Sequence, residues 1–162
     1  RVCREAGILT SLDGGGLRAN THDLLAFVDV AVVAERLCEQ MEITPTEMLD
    51  YLASRGCAIG AVTLGADGTL WYDETGARHH LPALDVPANR VVDTNGAGDI
   101  FHGAYMYSAM ARPELPWAEH FAFARGASTH AIQHLGNEAS LPSLADIERA
   151  SRDFGEKVRI AA

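Results

Sequence analysis

The stretch Val91-Val92-Asp93-Thr94-Asn95-Gly96-Ala97-Gly98-Asp99-Ile100-Phe101-His102-Gly103 sets an apolar pair against a turn of small residues and then an amphipathic run. It reads as strand, anion-binding turn and helix. Gly96 and Gly98 carry no side chain where an anion would need to approach the backbone. The N–H groups of a helix's first turn have no intrahelical acceptor, so they can point at a phosphate. Asp99 then stands where that phosphate would lie. A carboxylate beside a phosphate binds it poorly but can accept a proton, so Asp99 reads as a general base.

Upstream of this stretch, residues 58–64 are an apolar strand that enters Gly65-Ala66-Asp67-Gly68, a second glycine loop after a strand. Residues 70–73 and 78–81 flank Glu74-Thr75-Gly76-Ala77 and predict a hairpin. Earlier still, residues 7–13 read as a strand ending at Gly14-Gly15-Gly16, Thr21 as the cap of a brief helix, residues 30–33 as another strand and residues 35–41 as a helix. Thr44-Pro45-Thr46-Glu47 is a capping box with proline at the first helical position, so a helix runs from Pro45 to Ser54 and stops at Gly56. Downstream, a helix following Asp99 is closed by Pro113. A longer one runs from Trp117 to Leu135 with Gly136 as its terminal glycine, and Ser143 with Asp146 caps a last helix through Phe154.

Strands alternating with helices predict an α/β fold, a doubly wound and mostly parallel sheet with flanking helices and a β-hairpin. In such sheets ligands collect outside the carboxyl ends of strands, where Asp13 with its glycines, residues 65–68 and residues 95–99 are expected. With 162 residues, 48% of them hydrophobic, one domain over residues 1–162 can bury a sizeable core. The net charge of −9 argues against nucleic acid as a partner, since no basic face is expected. Cys3, Cys38 and Cys57 form no C-x-x-C and read as small hydrophobes in a reducing compartment. No apolar run of membrane-spanning length and no signal peptide is visible, so the chain is expected to be cytoplasmic, without a membrane partner. A P-loop motif is absent, and residues 96–101 lack the third glycine of G-x-G-x-x-G.

Residues 93–103 resemble the D-T-x-G-A-G-D signature of the PfkB (ribokinase-like) family of sugar kinases, and Val62-Thr63-Leu64-Gly65-Ala66-Asp67-Gly68 resembles that family's other nucleotide loop. The resemblance implies a ribokinase-like fold and ATP-dependent phosphoryl transfer to a hydroxyl of a small sugar or sugar-like alcohol. It implies Asp99 as the catalytic base and the N–H groups of Gly96, Ala97 and Gly98 as an anion hole. Thr63, Gly65 and Gly68 would line the phosphates or ribose, and residues 123–140, with Phe123 and Gly136 among them, would cover the adenine. Mg²⁺ would accompany ATP, and a monovalent cation such as K⁺ would sit near Asp93, Asn95, Leu135 and Ser140. The family's N-x-x-E motif is replaced by Ala34-Glu35-Arg36-Leu37, where Glu35 is the candidate contact to a Mg²⁺-bound water and no direct metal ligand is expected. The resemblance covers only the family's C-terminal, nucleotide-side half, without the N-terminal sugar-binding signature and the β-lid through which many members form homodimers. Two alternatives stand beside this reading: an inactive nucleotide-binding or structural fragment, and the same fold acting on a nucleoside or vitamin alcohol.

Overall fold

The computed structural model describes residues 2–155, and the chain divides into two compact units, Arg1–Pro82 and Ala83–Ala162. The first holds helix α1 (Val2–Glu5), strand β1 (Ser11–Gly14), α2 (Thr21–Leu25), β2 (Val30–Ala34), α3 (Glu35–Met41), α4 (Pro45–Ser54), β3 (Ile59–Thr63), β4 (Thr69–Tyr72) and β5 (Arg78–Leu81). Its sheet has the order β1-β2-β3-β4-β5. β1, β2 and β3 run parallel, and the expected hairpin, β4 and β5, continues the sheet antiparallel. The register sets Gly14 opposite Val33 and Ala34 opposite Thr63, so the carboxyl ends of the parallel strands share one edge.

Helices α2, α3 and α4 contribute Leu25, Leu37, Met48 and Leu52 to one core with Val33 and Val62. Residues 30–33 are buried throughout, which explains why this segment is apolar without alternation. Gly60 pairs with Tyr72, whose ring occupies the space a Cβ would need, and the Tyr72 hydroxyl donates to the Cys57 carbonyl at 2.9 Å. The capping box at α4 forms as expected: the Glu47 N–H donates to Thr44 Oγ1 at 3.2 Å, and Glu47 Oε2 accepts from the Thr44 N–H at 2.7 Å. Two expectations are corrected. The first strand begins at Ser11 rather than residue 7, because α1 and its closing turn take up the preceding chain. Thr21 lies inside α2 rather than capping it, its hydroxyl accepting the Arg18 N–H at 2.9 Å.

The second unit holds α5 (Ala97–Ala111), α6 (Trp117–Ala131) and α7 (Leu144–Phe154). Facing residues of α5 and α6 build an aromatic cluster in which the Tyr105 and Phe121 rings lie 5.5 Å apart and those of Phe101 and Phe121 5.9 Å apart. Gly126 lets α6 approach α7, since a Cβ there would lie 3.1 Å from the Ile147 carbonyl oxygen. The strand expected at Val91-Val92 is not formed. Its pairing groups are already used, because the N–H groups of Val92 and Asp93 both donate to the Ile132 carbonyl, at 2.8 and 3.2 Å. Helix α6 also ends four residues before Leu135. Gln133 Nε2 and His134 Nδ1 donate to the carbonyls of Thr129 and His130 at 2.9 and 3.0 Å, satisfying groups that another helical turn would have used. Among the described residues, no helix is long and apolar enough to cross a membrane.

His120 is 2% exposed, and its Nδ1 lies 2.9 Å from Ser108 Oγ, which also accepts from Arg112 Nη2 at 3.0 Å. Burial, followed by the Arg112 charge, pushes the imidazole below the ordinary histidine range. The native state therefore takes up this proton less readily than the unfolded chain, and stability is lost as pH falls through the unfolded histidine value. Thermal denaturation should show a lower Tm at pH 5.5 than at pH 7.5, with a slope of at most about 1.4 kcal/mol per pH unit from this one proton. His120→Gln should narrow the difference.

Candidate active site

The turn before α5 is shaped by two glycines with different duties. Gly96 adopts a left-handed φ of 77° at the helix N-cap, and a Cβ there would lie 2.6 Å from Asn137 Oδ1. Gly98 has an ordinary φ, and a Cβ on it would meet open space. The Ala97 N–H makes a long 3.3 Å bond to the Thr94 carbonyl, and the Ile100 N–H donates to the Gly96 carbonyl at 3.0 Å. Gly98 and Asp99 fall between them, and their N–H groups have no acceptor among the described residues. The Asp99 carboxylate is exposed in the same turn and accepts no hydrogen bond from the described residues.

Asp93 ties this turn to the loop after α6. One carboxylate oxygen accepts the Asn95 N–H at 2.9 Å and the other the Gly136 N–H at 3.1 Å. These donors, the Asn95 N–H foremost, hold the Asp93 carboxyl below the usual carboxylate range. Gly136 takes a left-handed φ of 76° beyond the helix end, where it turns the chain toward Asn137. Buried Ser140 then donates from Oγ to the Asn137 carbonyl at 3.0 Å, while the Leu135 side chain is exposed. Asp93, Asn95, Leu135 and Ser140 thus lie in or beside the two loops that the hydrogen bond from the Gly136 N–H to Asp93 joins.

A cleft of about 570 Å³ opens beside the turn, lined by Gly96, Asp99, Ile100, Gly103 and Tyr107 of the α5 segment, Phe123 of α6, Asn137, and Leu141 to Leu144 with Ile147 around the start of α7. Asp99, Asn137 and Ser143 bring polar side chains to it, and Ile100, Phe123, Leu141, Leu144 and Ile147 make much of the lining apolar. Phe123 stacks on Tyr107 with ring centroids 6.1 Å apart, and the Arg112 guanidinium lies 5.1 Å from the Phe123 centroid. Asn137 was missed by sequence reasoning, because Gly136-Asn137 reads as an ordinary turn. Tyr107 was missed because α5 is apolar on more than one face.

The remaining candidates belong to the first unit. Thr63 ends β3, with its hydroxyl 3.5 Å from the Val33 carbonyl. Gly65 and Gly68 bracket a 3-10 turn with φ of 58° and 90°, and the Leu64 N–H closes it on the Gly68 carbonyl at 2.8 Å. Glu35 opens α3 with an exposed side chain. The carboxyl-terminal edge of the parallel strands therefore presents residues 14–16, Glu35 and residues 65–68 together. His130 and His134 stack with centroids 4.2 Å apart, and no group of three His, Cys, Asp or Glu able to hold a metal ion occurs among the described residues.

The family model for pfkB family carbohydrate kinases matches residues 8–144, taking in both glycine loops and Asp99. The chain belongs to this family. Ribokinase of Lactococcus lactis is 27% identical over 155 residues, covering 95% of this chain and 49% of its own length. Arabidopsis thaliana ribokinase, complexed with ribose and ATP, matches with a TM-score of 0.77 at 25% identity over 90% of this chain and 48% of its own. Aminoimidazole riboside kinase from Salmonella enterica, complexed with aminoimidazole riboside and an ATP analog, has a TM-score of 0.76 at 27% identity, with coverages of 91% and 53%. The chain spans about half the length of the curated relatives it matches. Its mixed open sheet with flanking helices is the ribokinase-like fold expected from the two motifs.

Within this pfkB-family turn, the two glycines should respond differently to the same change. Gly96→Ala is expected to destabilise the protein by about 1–2 kcal/mol for the left-handed backbone alone, and further for displacement of Asn137. Gly98→Ala should be neutral or slightly stabilising, since it adds a helix-favouring residue into open space. Urea denaturation of the two variants compares them, and equal costs would remove the distinction.

Proposed function

We propose that this chain carries the phosphoryl-transfer half of an ATP-dependent kinase whose acceptor is a hydroxyl of a small sugar or sugar-like alcohol. The observation that carries the reading is the turn at residues 96–99, where N–H groups without an acceptor among the described residues share a turn with a carboxylate that lines the cleft, in a chain of the pfkB family. Asp99 takes the proton from the acceptor hydroxyl as its oxygen attacks the γ-phosphorus. The new O–P bond forms while the bond to the bridging oxygen of ADP breaks. The N–H groups of Gly98 and Asp99 face the charge that builds on the phosphoryl oxygens. Gly96 and Ala97 complete the anion hole, Ala97 by giving up its long bond to Thr94.

Phe123 supplies apolar surface in the cleft, and Thr63, Gly65 and Gly68 form the second nucleotide loop. Mg²⁺ supplies neutralisation of the phosphate charge. It would enter with the nucleotide, and Glu35, exposed at the start of α3, is the residue proposed to contact one of its waters. A K⁺ site would draw on Asp93, Asn95, Leu135 and Ser140. A riboside bearing a heterocycle is the second reading for the acceptor, favoured by the likeness to aminoimidazole riboside kinase. An inactive fragment draws no support from these relatives.

In the full-length protein, Asp99→Asn should leave the affinity for an ATP analogue nearly intact and lower kcat by a factor on the order of 10² or more. A coupled ADP-release assay over a panel of sugars and ribosides measures this. Turnover close to wild type would show that Asp99 is not the base. Gly98→Val should weaken binding of the analogue with Tm preserved, because the added methyl groups enter space that the protein itself leaves open.

A further inference from the structure

We infer that Asn137 is a phosphate-binding residue, its side-chain amide donating to the terminal phosphates of the bound nucleotide. The inference rests on the phosphoryl-transfer reading above and extends it to a residue outside the glycine turn.

The Asn137 main chain is pinned from both sides, by the Gly136 N–H on Asp93 and by Ser140 Oγ on its own carbonyl. Its carboxamide lies against Gly96, occupying the space that a Cβ would take, and lines the same cleft as Asp99. The side chain is exposed, and its carboxamide makes no hydrogen bond to the described residues. Its polar atoms are open to a ligand that enters the cleft.

The chemistry of the cleft specifies that partner's charge. Among the described residues no Lys or Arg lines it, and the carboxylate of Asp99 is already present, so the donors that this lining offers to phosphate oxygens are neutral ones. The Ser143 hydroxyl is spent on Asp146 Oδ2 at 2.6 Å, and Tyr107 lies seven or more residues along α5 from the turn, stacked on Phe123. Among the described lining residues, Asn137 is the side chain left to donate N–H, and it packs against Gly96 in the turn that carries the backbone donors of Gly98 and Asp99. An amide adds such a donor without adding charge that would pair with Asp99 and compete for its proton.

The test is titration calorimetry of the full-length protein with adenosine, ADP and a non-hydrolysable ATP analogue, for wild type, Asn137→Ala and Asn137→Asp. Asn137→Asp keeps the shape against Gly96 while replacing the donor with a negative charge. The expected result is a loss of about tenfold in affinity for the ATP analogue in Asn137→Ala, and a larger loss in Asn137→Asp. The loss should be smaller for ADP and absent for adenosine, with Tm unchanged. Equal losses for all three ligands would assign Asn137 a purely structural role and overturn the inference, as would affinities that do not move. A wild-type protein that binds the ATP analogue no better than adenosine would instead overturn the phosphate site itself.

Discussion

The interaction on which the second unit's chemistry depends is the double hydrogen bond accepted by Asp93. Each oxygen of this carboxylate takes a backbone N–H, one from Asn95 within the turn and one from Gly136 in the loop after α6. An ionised acceptor strengthens both bonds. The first bends the chain into the tight approach to Gly96. The second holds the 136–140 loop against that turn, which is what brings the Asn137 carboxamide into the space left by the Gly96 side chain. Helix α5 then begins with Gly96 and Asp99 lining the cleft.

Under the kinase reading proposed above, that geometry would let an acidic chain receive a polyanion. A net charge of −9 would repel ATP if side-chain charge were what mattered. The groups at residues 96–99 are instead oriented peptide dipoles at the end of a fifteen-residue helix, and they act at short range where solvent screening is weakest. Because these donors are neutral, they need no counter-ion and leave the nearby Asp99 carboxylate free of a salt bridge.

Much of this was legible in the sequence wherever a local rule fixes the backbone. The capping boxes at Thr44 and Ser143 place the starts of α4 and α7, because side chain and main chain satisfy each other within four residues. The hairpin of β4 and β5 follows from two short runs around Gly76. The glycine turn and Asp99 were visible for the same reason. What escaped was decided by partners distant in sequence. Val91-Val92 has strand composition, yet its N–H groups are taken up at the end of α6. The end of α6 was misplaced because Gln133 and His134 fold back on its carbonyls, an outcome that apolar periodicity does not encode. Asn137 carries no motif, and its placement depends on a carboxylate forty-three residues before its neighbour Gly136.

The same span bears on how the protein folds. Helices α5 and α6 can form their hydrogen bonds locally, on the timescale of a single helix, before their aromatic faces meet. The bond from Asp93 to Gly136 closes a segment of forty-three residues and so waits for both helices and the loop between them. The turn at residues 96–99 therefore takes its final form as the helical unit completes its assembly. Under the proposed reading, a nucleotide that binds only the finished turn would draw the population toward the docked helices by mass action, coupling maturation of the unit to the presence of that ligand.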